Sequence, residues 1–288
     1  LGQPLSRDVF RLLRDLIYEH AGLWFEDDNA FLLSRRLSPR VEALALGDFA
    51  DYYRYLRLAS PEARRAELEE ICDRITTNET YFFREGYQLE AFKAEILPEL
   101  ADAKPRGKRL TVWSAGCSTG EEAYTIAILI LETGLFADWD VRVFGSDISR
   151  RVLQVARRAQ YGKSSFRSTD ARLLRRYFRE IDGKHQVRDE VRQLVSFGQI
   201  NLIDDAAADL LGEVDVVFCR NVLIYFDQRS RRRVIDTLYR KLVRGGYLLL
   251  GHSESLITLT TAFELVHLKN DMVYRKPFLS SASGRGGA

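Results

Sequence analysis

An apolar strand over Val214 to Phe218 leads directly into Arg220, Asn221 and Tyr225, and that junction is where an open parallel sheet carries its chemistry. Ligands in such sheets bind beyond the carboxyl ends of the strands, so polar side chains placed there face a substrate or cofactor. The alternative is that Arg220 and Asn221 only cap the next helix, since Asn is a frequent N-cap. Two further segments favour the functional reading. Leu110 to Ala115 enters a glycine-containing loop, Gly116-Cys117-Ser118-Thr119-Gly120, and Glu121-Glu122 opens the apolar helical run Ala123 to Leu131. Gly116 and Gly120 let a ligand approach the backbone, and the helix turns its free N–H groups toward the loop. The spacing is not GxGxxG, and two glutamates at the helix start would repel a pyrophosphate, so a cationic cofactor fits better than a dinucleotide. Val141 to Asp147 ends in a carboxylate of the kind that accepts hydrogen bonds from ribose hydroxyls, although a lone Asp147 would also serve to N-cap a helix over Arg150 to Arg158. Loop, acid and polar strand end together describe a nucleoside cofactor laid across three successive strand ends.

The elements that must position these residues change period near residue 105. Before it, apolar residues recur at helical spacing: Ser6 precedes Val9 to Ile17, Asp27 or Asp28 precedes Phe31 to Leu37, and Asp48 precedes Tyr52 to Leu56. Ser60-Pro61 reads as N-cap and first residue of a helix carrying Leu68, Ile71 and Ile75. After the polar stretch Lys104 to Lys108, strands alternate with helices as in a doubly wound sheet. The strands expected are 110–114, 141–147, 194–199, 214–219 and 247–251, closed by a hairpin of 263–268 and 271–276. Residues 177–192, with Asp182-Gly183 at their centre, suggest a small β excursion. The expected organisation is an all-helical domain over 1–75, a linker and helix over 76–107 closing on the cofactor, an α/β domain over 108–276, and a tail over 277–288, with Ser280 to Ala288 disordered.

Composition sets the outer limits. A chain of 288 residues with 46% hydrophobic content accommodates a large parallel-sheet domain and a smaller unit. It has no apolar run of about eighteen residues and no basic-then-apolar leader, so a cytoplasmic protein without membrane insertion is expected. Cys72, Cys117 and Cys219 form no CxxC pair and only four histidines are present, which indicates neither a disulfide framework nor a metal site. Cys117 and Cys219 flank the proposed site but read as small fillers, because no His stands in a partnering motif. A net charge of +2 points to no nucleic-acid partner. The basic run Gln228 to Arg233 opens an amphipathic helix with Val234, Ile235, Leu238 and Leu242 inward, so it reads as a solvated face.

Four motifs in order carry a family resemblance: Thr76-Thr77-Asn78-Glu79-Thr80-Tyr81-Phe82-Phe83-Arg84-Glu85, Trp113 through Glu122, Phe218 through Phe226, and Gly245-Gly246-Tyr247 through Gly251-His252-Ser253-Glu254-Ser255. Through them nearly the whole chain resembles the chemotaxis-receptor glutamate O-methyltransferases, the CheR family. The resemblance implies a helical N-terminal domain, a linker, and a seven-stranded Rossmann-like methyltransferase domain with a small β-subdomain insertion. It also implies S-adenosylmethionine as cofactor and S-adenosylhomocysteine as product, with the methyl group passed to a glutamate side chain. That acceptor is already ionised at neutral pH, so the reaction asks for alignment and desolvation rather than a general base.

Site roles follow from the same resemblance. Asn78, Thr80 and Arg84 would close over the methionine part of the cofactor. Tyr81-Phe82-Phe83-Arg84 leaves a guanidinium beside an aromatic cluster, which favours a buried anion partner. Gly116 resembles the loop glycine, Glu121 a side-chain contact to the cofactor's amino group, and Asp147 the ribose acceptor. Asn201 and Leu202 resemble the adenine contacts. Arg220 and Asn221 would sit at the methionine end and Tyr225 near the transferred methyl, with Arg84 and Tyr225 as the catalytic pair. His252 is expected to make structural hydrogen bonds near the site.

The implied partner is the cytoplasmic helical domain of methyl-accepting receptors, met by the enzyme as a monomer, with Arg35, Arg36 and Arg40 on the second helix as docking residues. Residues 1–75 hold eleven Arg against fourteen Asp and Glu, so any basic patch there is local. The excursion Arg179 to Val187 is short and lacks a Gly-rich loop, which predicts docking independent of a receptor C-terminal pentapeptide. Two other classes fit the sequence less well. A nucleic-acid methyltransferase would need an Asn/Asp-Pro-Pro-aromatic motif where this chain has Arg220-Asn221-Val222-Leu223. A non-catalytic S-adenosylmethionine-binding regulatory module is disfavoured by the intact set Arg84, Asp147, Arg220 and Tyr225.

Overall fold

The computed structural model describes residues 5–104, 107–209 and 211–278. The expected disordered segment, 280–288, lies outside the described residues.

The N-terminal helices are α1 (Arg7–Ala21), α2 (Ala30–Ala43), α3 (Phe49–Leu58) and α4 (Pro61–Ile75). Their starts follow the capping residues: the N–H groups of Val9, Asp51 and Ala63 donate to the side chains of Ser6, Asp48 and Ser60, and Pro61 takes the first helical position where no donor is needed. The apolar stripes converge on a core of Phe10, Leu13, Leu33, Leu37, Tyr52, Leu56 and Ile71. Inside it lies one charged group, Glu67, whose carboxylate accepts from the Arg40 guanidinium (2.8 Å) and the Tyr52 hydroxyl (2.6 Å).

An extended segment then leads to α5 (Gly86–Ala91), which continues through a π-helical turn (Phe92–Ile96) into α6 (Leu97–Ala103). The second domain alternates as its periodicity predicts: β1 (Arg109–Ala115), α7 (Glu121–Thr133), β2 (Asp140–Asp147), α8 (Arg150–Arg158), β3 (Gln160–Tyr161), α9 (Ala171–Tyr177), β4 (Phe178–Ile181), β5 (Lys184–Val187), α10 (Asp189–Arg192), β6 (Val195–Gln199), α11 (Asp205–Asp209), β7 (Val214–Cys219), α12 (Gln228–Lys241), β8 (Leu242–Leu250), β9 (Glu264–His267) and β10 (Met272–Arg275). Seven strands form one sheet in the order β6-β2-β1-β7-β8-β10-β9, parallel from β6 to β8, with β10 antiparallel to β8. Period-two alternation decides which domain each face meets. Trp113, Ala115, Val217, Cys219, Leu248 and Leu250 pack in the cluster shared with the N-terminal helices and α12. Their neighbours Val112, Val216, Phe218, Tyr247 and Leu249 pack against α5 to α7.

Two local expectations needed correction. The excursion is a three-stranded sheet, β3-β5-β4, because the two-residue strand β3 joins the expected hairpin. Leu242, expected on the α12 helical face, has extended backbone and opens β8 opposite Val214, five residues before the strand start expected from sequence.

Candidate active site

A cavity of about 460 Å³ lies beyond the carboxyl ends of β1, β2 and β7, a size within the usual range for small-molecule sites. Its walls are Ala21 to Leu32 of the helical domain, the extended segment Ile75 to Arg84 with Leu89 of α5, and the loops that follow the strands together with the first turns of α7.

The loop after β1 turns through positive φ at Gly116 (79°), Ser118 (51°) and Gly120 (94°). The Gly116 and Cys117 N–H groups both donate to the Ser146 carbonyl, at 2.7 and 2.8 Å, which seats the loop on the end of β2. A Cβ at Gly116 would come within 2.4 Å of Val222 Cγ2, so the first and third cavity loops touch where only glycine fits. Asp147 is 8% exposed and accepts from the Ser118 and Ser149 N–H groups, both at 2.9 Å. Burial pushes its carboxyl above the usual range, against the opposing pull of those N–H groups. The N-cap of α8 is Ser149, so Asp147 is left on the cavity wall.

The two adjacent glutamates separate. Glu121, expected to touch the cofactor, turns away from the cavity and accepts from the Thr119 (2.6 Å) and Ser165 (3.0 Å) hydroxyls. Glu122 is the one that lines it. Successive helical residues point about 100° apart, so one position decides which carboxylate faces inward. Glu122 accepts from the Ser114 hydroxyl at 2.7 Å and from Arg220 at 3.3 Å, and burial again pushes its carboxyl up while Arg220 opposes the shift.

Arg220 is 7% exposed and is held by Glu85 (3.0 Å), Glu122 and the Arg84 carbonyl (2.7 Å). Its buried Nε has no protein partner. The Arg84 guanidinium donates to the Glu79 carbonyl at 2.9 Å and lies 5.8 Å from the Tyr81 ring centroid. Its side chain is 30% exposed and, among the described residues, its carboxylate contact is a long 3.8 Å approach to Glu85, so the buried anion partner expected from sequence is not its environment. Phe83 (φ 60°) and Glu85 (φ 57°) flank it in left-handed backbone, a strained presentation held by Phe82, which is buried against Tyr161, Phe166 and Phe178.

Asn78, Thr80, Asn201, Leu202, Asn221 and Tyr225 also line the cavity. The Asn201 amide donates to the His20 carbonyl at 2.6 Å and accepts from the Ile203 N–H, so it ties the loop after β6 to the helical domain. Tyr225 is 37% exposed at the cavity wall, and its carbonyl accepts from the Trp24 N–H at 3.1 Å. Leu23 and Phe226 form a β-bridge alongside it. Cys117 and Cys219 are fully buried and burial pushes both thiols well up, as fits fillers.

Two of the three docking arginines have internal uses. Arg36 donates to the carbonyls of Ile75 and Thr76 at the end of α4, and Arg40 pairs with buried Glu67. Periodicity placed them on one face of α2, and that face packs inward; Arg35 is exposed. His252 is exposed against the Tyr87 ring, and the hydrogen bonding expected of it falls to Glu254, whose carboxylate accepts from the N–H groups of Asn221, Val222, Ile224 and Gly251.

Residues 78–272 match the family described as CheR methyltransferase, SAM binding domain, and residues 8–76 match CheR methyltransferase, all-alpha domain. The chain belongs to the CheR methyltransferase family. It is 37% identical to chemotaxis protein methyltransferase 2 of Vibrio cholerae, over 93% of this chain and 92% of that protein. It is 36% identical to the chemotaxis protein methyltransferase of Salmonella typhimurium, over 91% of this chain and 88% of that protein. Chemotaxis protein methyltransferase 2 of Pseudomonas aeruginosa is similar at 36% identity over 88% of each chain. The family's cofactor is S-adenosylmethionine, and the cavity fits it. A strand-end carboxylate can accept from ribose hydroxyls, the apolar stretch at Ile148, Ile200 and Leu202 can pack against a base, and buried Arg220, with an Nε that has no protein partner, can meet a carboxylate. None of the helices among the described residues is long and apolar enough to cross a membrane.

Proposed function

We propose that this CheR-family methyltransferase acts on glutamate side chains in the cytoplasmic helical region of chemotaxis-type receptors, forming methyl esters and releasing S-adenosylhomocysteine. The observation that carries this reading is the cavity lining. Among the described residues that form it there is no His and no Lys, and its buried carboxylates are already engaged, Glu122 by Ser114 and Arg220 and Asp147 by two backbone N–H groups. A glutamate acceptor is ionised at neutral pH and needs no deprotonation before attack, so such a lining suits it.

When bound, S-adenosylmethionine supplies an electrophilic methyl carbon on a sulfonium sulfur. The acceptor carboxylate oxygen would form the O–CH3 bond as the S–CH3 bond breaks and leaves its electron pair on sulfur. Asp147 would accept from the ribose hydroxyls, and Leu202 with the Asn201 backbone would flank the adenine. Asn78, Thr80, Gly116, Arg220 and Asn221 would surround the methionine part, with Glu122 in place of Glu121 facing its amino group. Arg84 and Tyr225 would align the acceptor. The Arg84 guanidinium is shared with the Glu79 carbonyl, which limits its grip on the acceptor in the ground state. The wall contributed by Ala21 to Leu32 removes water from the two opposite charges as they meet.

Arg35 is the docking residue of the three first considered, and the enzyme works as a cytoplasmic monomer. The β4–β5 hairpin closes through the two-residue turn Asp182-Gly183 with no loop to grip a peptide, which supports docking independent of a receptor pentapeptide. Calorimetry with S-adenosylmethionine and S-adenosylhomocysteine tests the cavity assignment. The wild type is expected to bind both, and Asp147→Ala to weaken binding by roughly tenfold or more, the worth of one or two strong hydrogen bonds. Equal binding by the two proteins would overturn the assignment, and measurable affinity for a receptor C-terminal pentapeptide would overturn the docking mode.

A further inference from the structure

The strands β7 and β8 are neighbours, with Cys219 opposite Leu250, so their exit loops leave the sheet side by side. The β7 exit carries Arg220, Asn221 and Tyr225, and it enters left-handed backbone at Asn221 (φ 58°). Such a conformation in a non-glycine residue costs energy unless neighbouring groups fix it. Those groups come from the β8 exit. Glu254 Oε2 accepts from Asn221 N–H (2.8 Å) and from Gly251 N–H (2.7 Å), while Oε1 accepts from Val222 N–H (2.9 Å) and Ile224 N–H (3.3 Å). One carboxylate thus serves four backbone donors, three of them in the loop that walls the cavity. Its own turn is closed by the Glu254 N–H donating to the Gly251 carbonyl at 2.9 Å. Gly251 carries a second, independent sign of the same junction. A Cβ there would lie 2.7 Å from the Asn221 nitrogen and 2.9 Å from Glu254 Oε2, so a side chain would push the clamp apart.

We propose that Glu254 is a positioning residue for methyl transfer, holding Arg220 to Tyr225 in the geometry that receives cofactor and acceptor while Glu254 itself touches neither. This rests on the reading of the cavity as the methyl-transfer site. Aspartate is too short to span both loops, and glutamine offers one acceptor oxygen and one NH2, so two of the four donors would face another donor.

The test compares wild type, Glu254→Gln and the exposed-surface control Glu264→Gln by calorimetry with S-adenosylhomocysteine, steady-state methylation, and amide hydrogen exchange. Glu254→Gln is expected to raise the cofactor Kd by roughly 10- to 100-fold, as a binding-competent loop becomes a minority state. It should also lower kcat, because Tyr225 is carried by the same loop, and it should speed exchange selectively at Asn221, Val222 and Ile224. The Glu264→Gln protein should match wild type. Unchanged exchange at those three amides, or a uniform loss of protection throughout the chain, overturns the proposal. Selective exchange with no cofactor binding by the wild type would uphold the clamp as a loop anchor and overturn the methyl-transfer reading on which its role depends.

Discussion

Gly116→Ala tests how closely the loops after β1 and β7 are fitted. Gly116 has φ 79°, a left-handed conformation that costs an L-residue roughly 1–2 kcal/mol. The new methyl group would also stand 2.4 Å from Val222 Cγ2, well inside van der Waals contact. Val222 is tied through its N–H to Glu254, so the backbone on that side is not free to retreat, and overpacking of this kind costs roughly 1–3 kcal/mol. Together the terms come to about 2–5 kcal/mol, with the lower end applying if Val222 changes rotamer. For a domain of this size that is a fall in melting temperature of about 4–20 °C. Where the strain is relieved by moving the β7 exit, the same energy appears as a weaker cofactor Kd, by roughly 30-fold or more. Differential scanning calorimetry and titration with S-adenosylhomocysteine measure the two effects. Gly86→Ala is the control, because nothing lies within 4 Å of its added Cβ, and it should leave both quantities nearly unchanged. A Gly116→Ala protein that melts within about 2 °C of wild type and binds cofactor within threefold would refute the argument, since even the conformational term alone exceeds that.

Glu122→Gln should weaken cofactor binding by roughly tenfold, while Glu121→Gln changes it less than threefold, because only Glu122 lines the cavity; titration calorimetry separates them. In the helical domain, Glu67→Ala strands the Arg40 guanidinium and should destabilise by about 3 kcal/mol, read by denaturant unfolding. Arg35→Glu should leave stability and cofactor Kd unchanged and raise KM for a receptor fragment. Asp227 joins the domains by accepting from the Tyr18 hydroxyl at 3.0 Å. Burial alone would raise its carboxyl, but the Ser230 and Tyr18 donors together hold it below the usual value. Stability from a depressed acid is present above its unfolded value and is lost as pH falls through the folded one. Tyr18→Phe should therefore melt below wild type at pH 7, and the gap should begin to narrow as pH falls below about 4 and shrink further as the folded Asp227 takes up its proton.

The strands and the glycine loop were legible because their signals are local. Period-two runs marked β1, β2 and β7 and placed their ends, and Gly116, Asp147, Arg220 and Asn221 fell at those ends without need of any distant contact. The errors share one cause, which is that a pattern gives a face but not what lies opposite it. Spacing set Arg36 and Arg40 on one side of α2 but could not show that the end of α4 and buried Glu67 lie there. A helix start at Glu121-Glu122 admitted either glutamate, and the packing of Ser165 decided between them. The helical domain's wall from Ala21 to Leu32 and the Glu254 clamp join positions far apart in the chain, and no local pattern announces such contacts. Glu254 stands in the Gly251 to Ser255 motif, but the motif alone does not show the four backbone N–H groups that meet its carboxylate.

Methyl transfer to a glutamate side chain can be read directly. Purified protein incubated with methyl-labelled S-adenosylmethionine and a receptor cytoplasmic helical fragment gives the most direct test, followed by mild base treatment and peptide mapping. Label is expected on glutamate as a base-labile ester released as methanol, abolished when the acceptor glutamates are changed to alanine and strongly reduced in Tyr225→Phe. Cofactor binding without any base-labile label, or label retained on the fragment after base treatment, would contradict it.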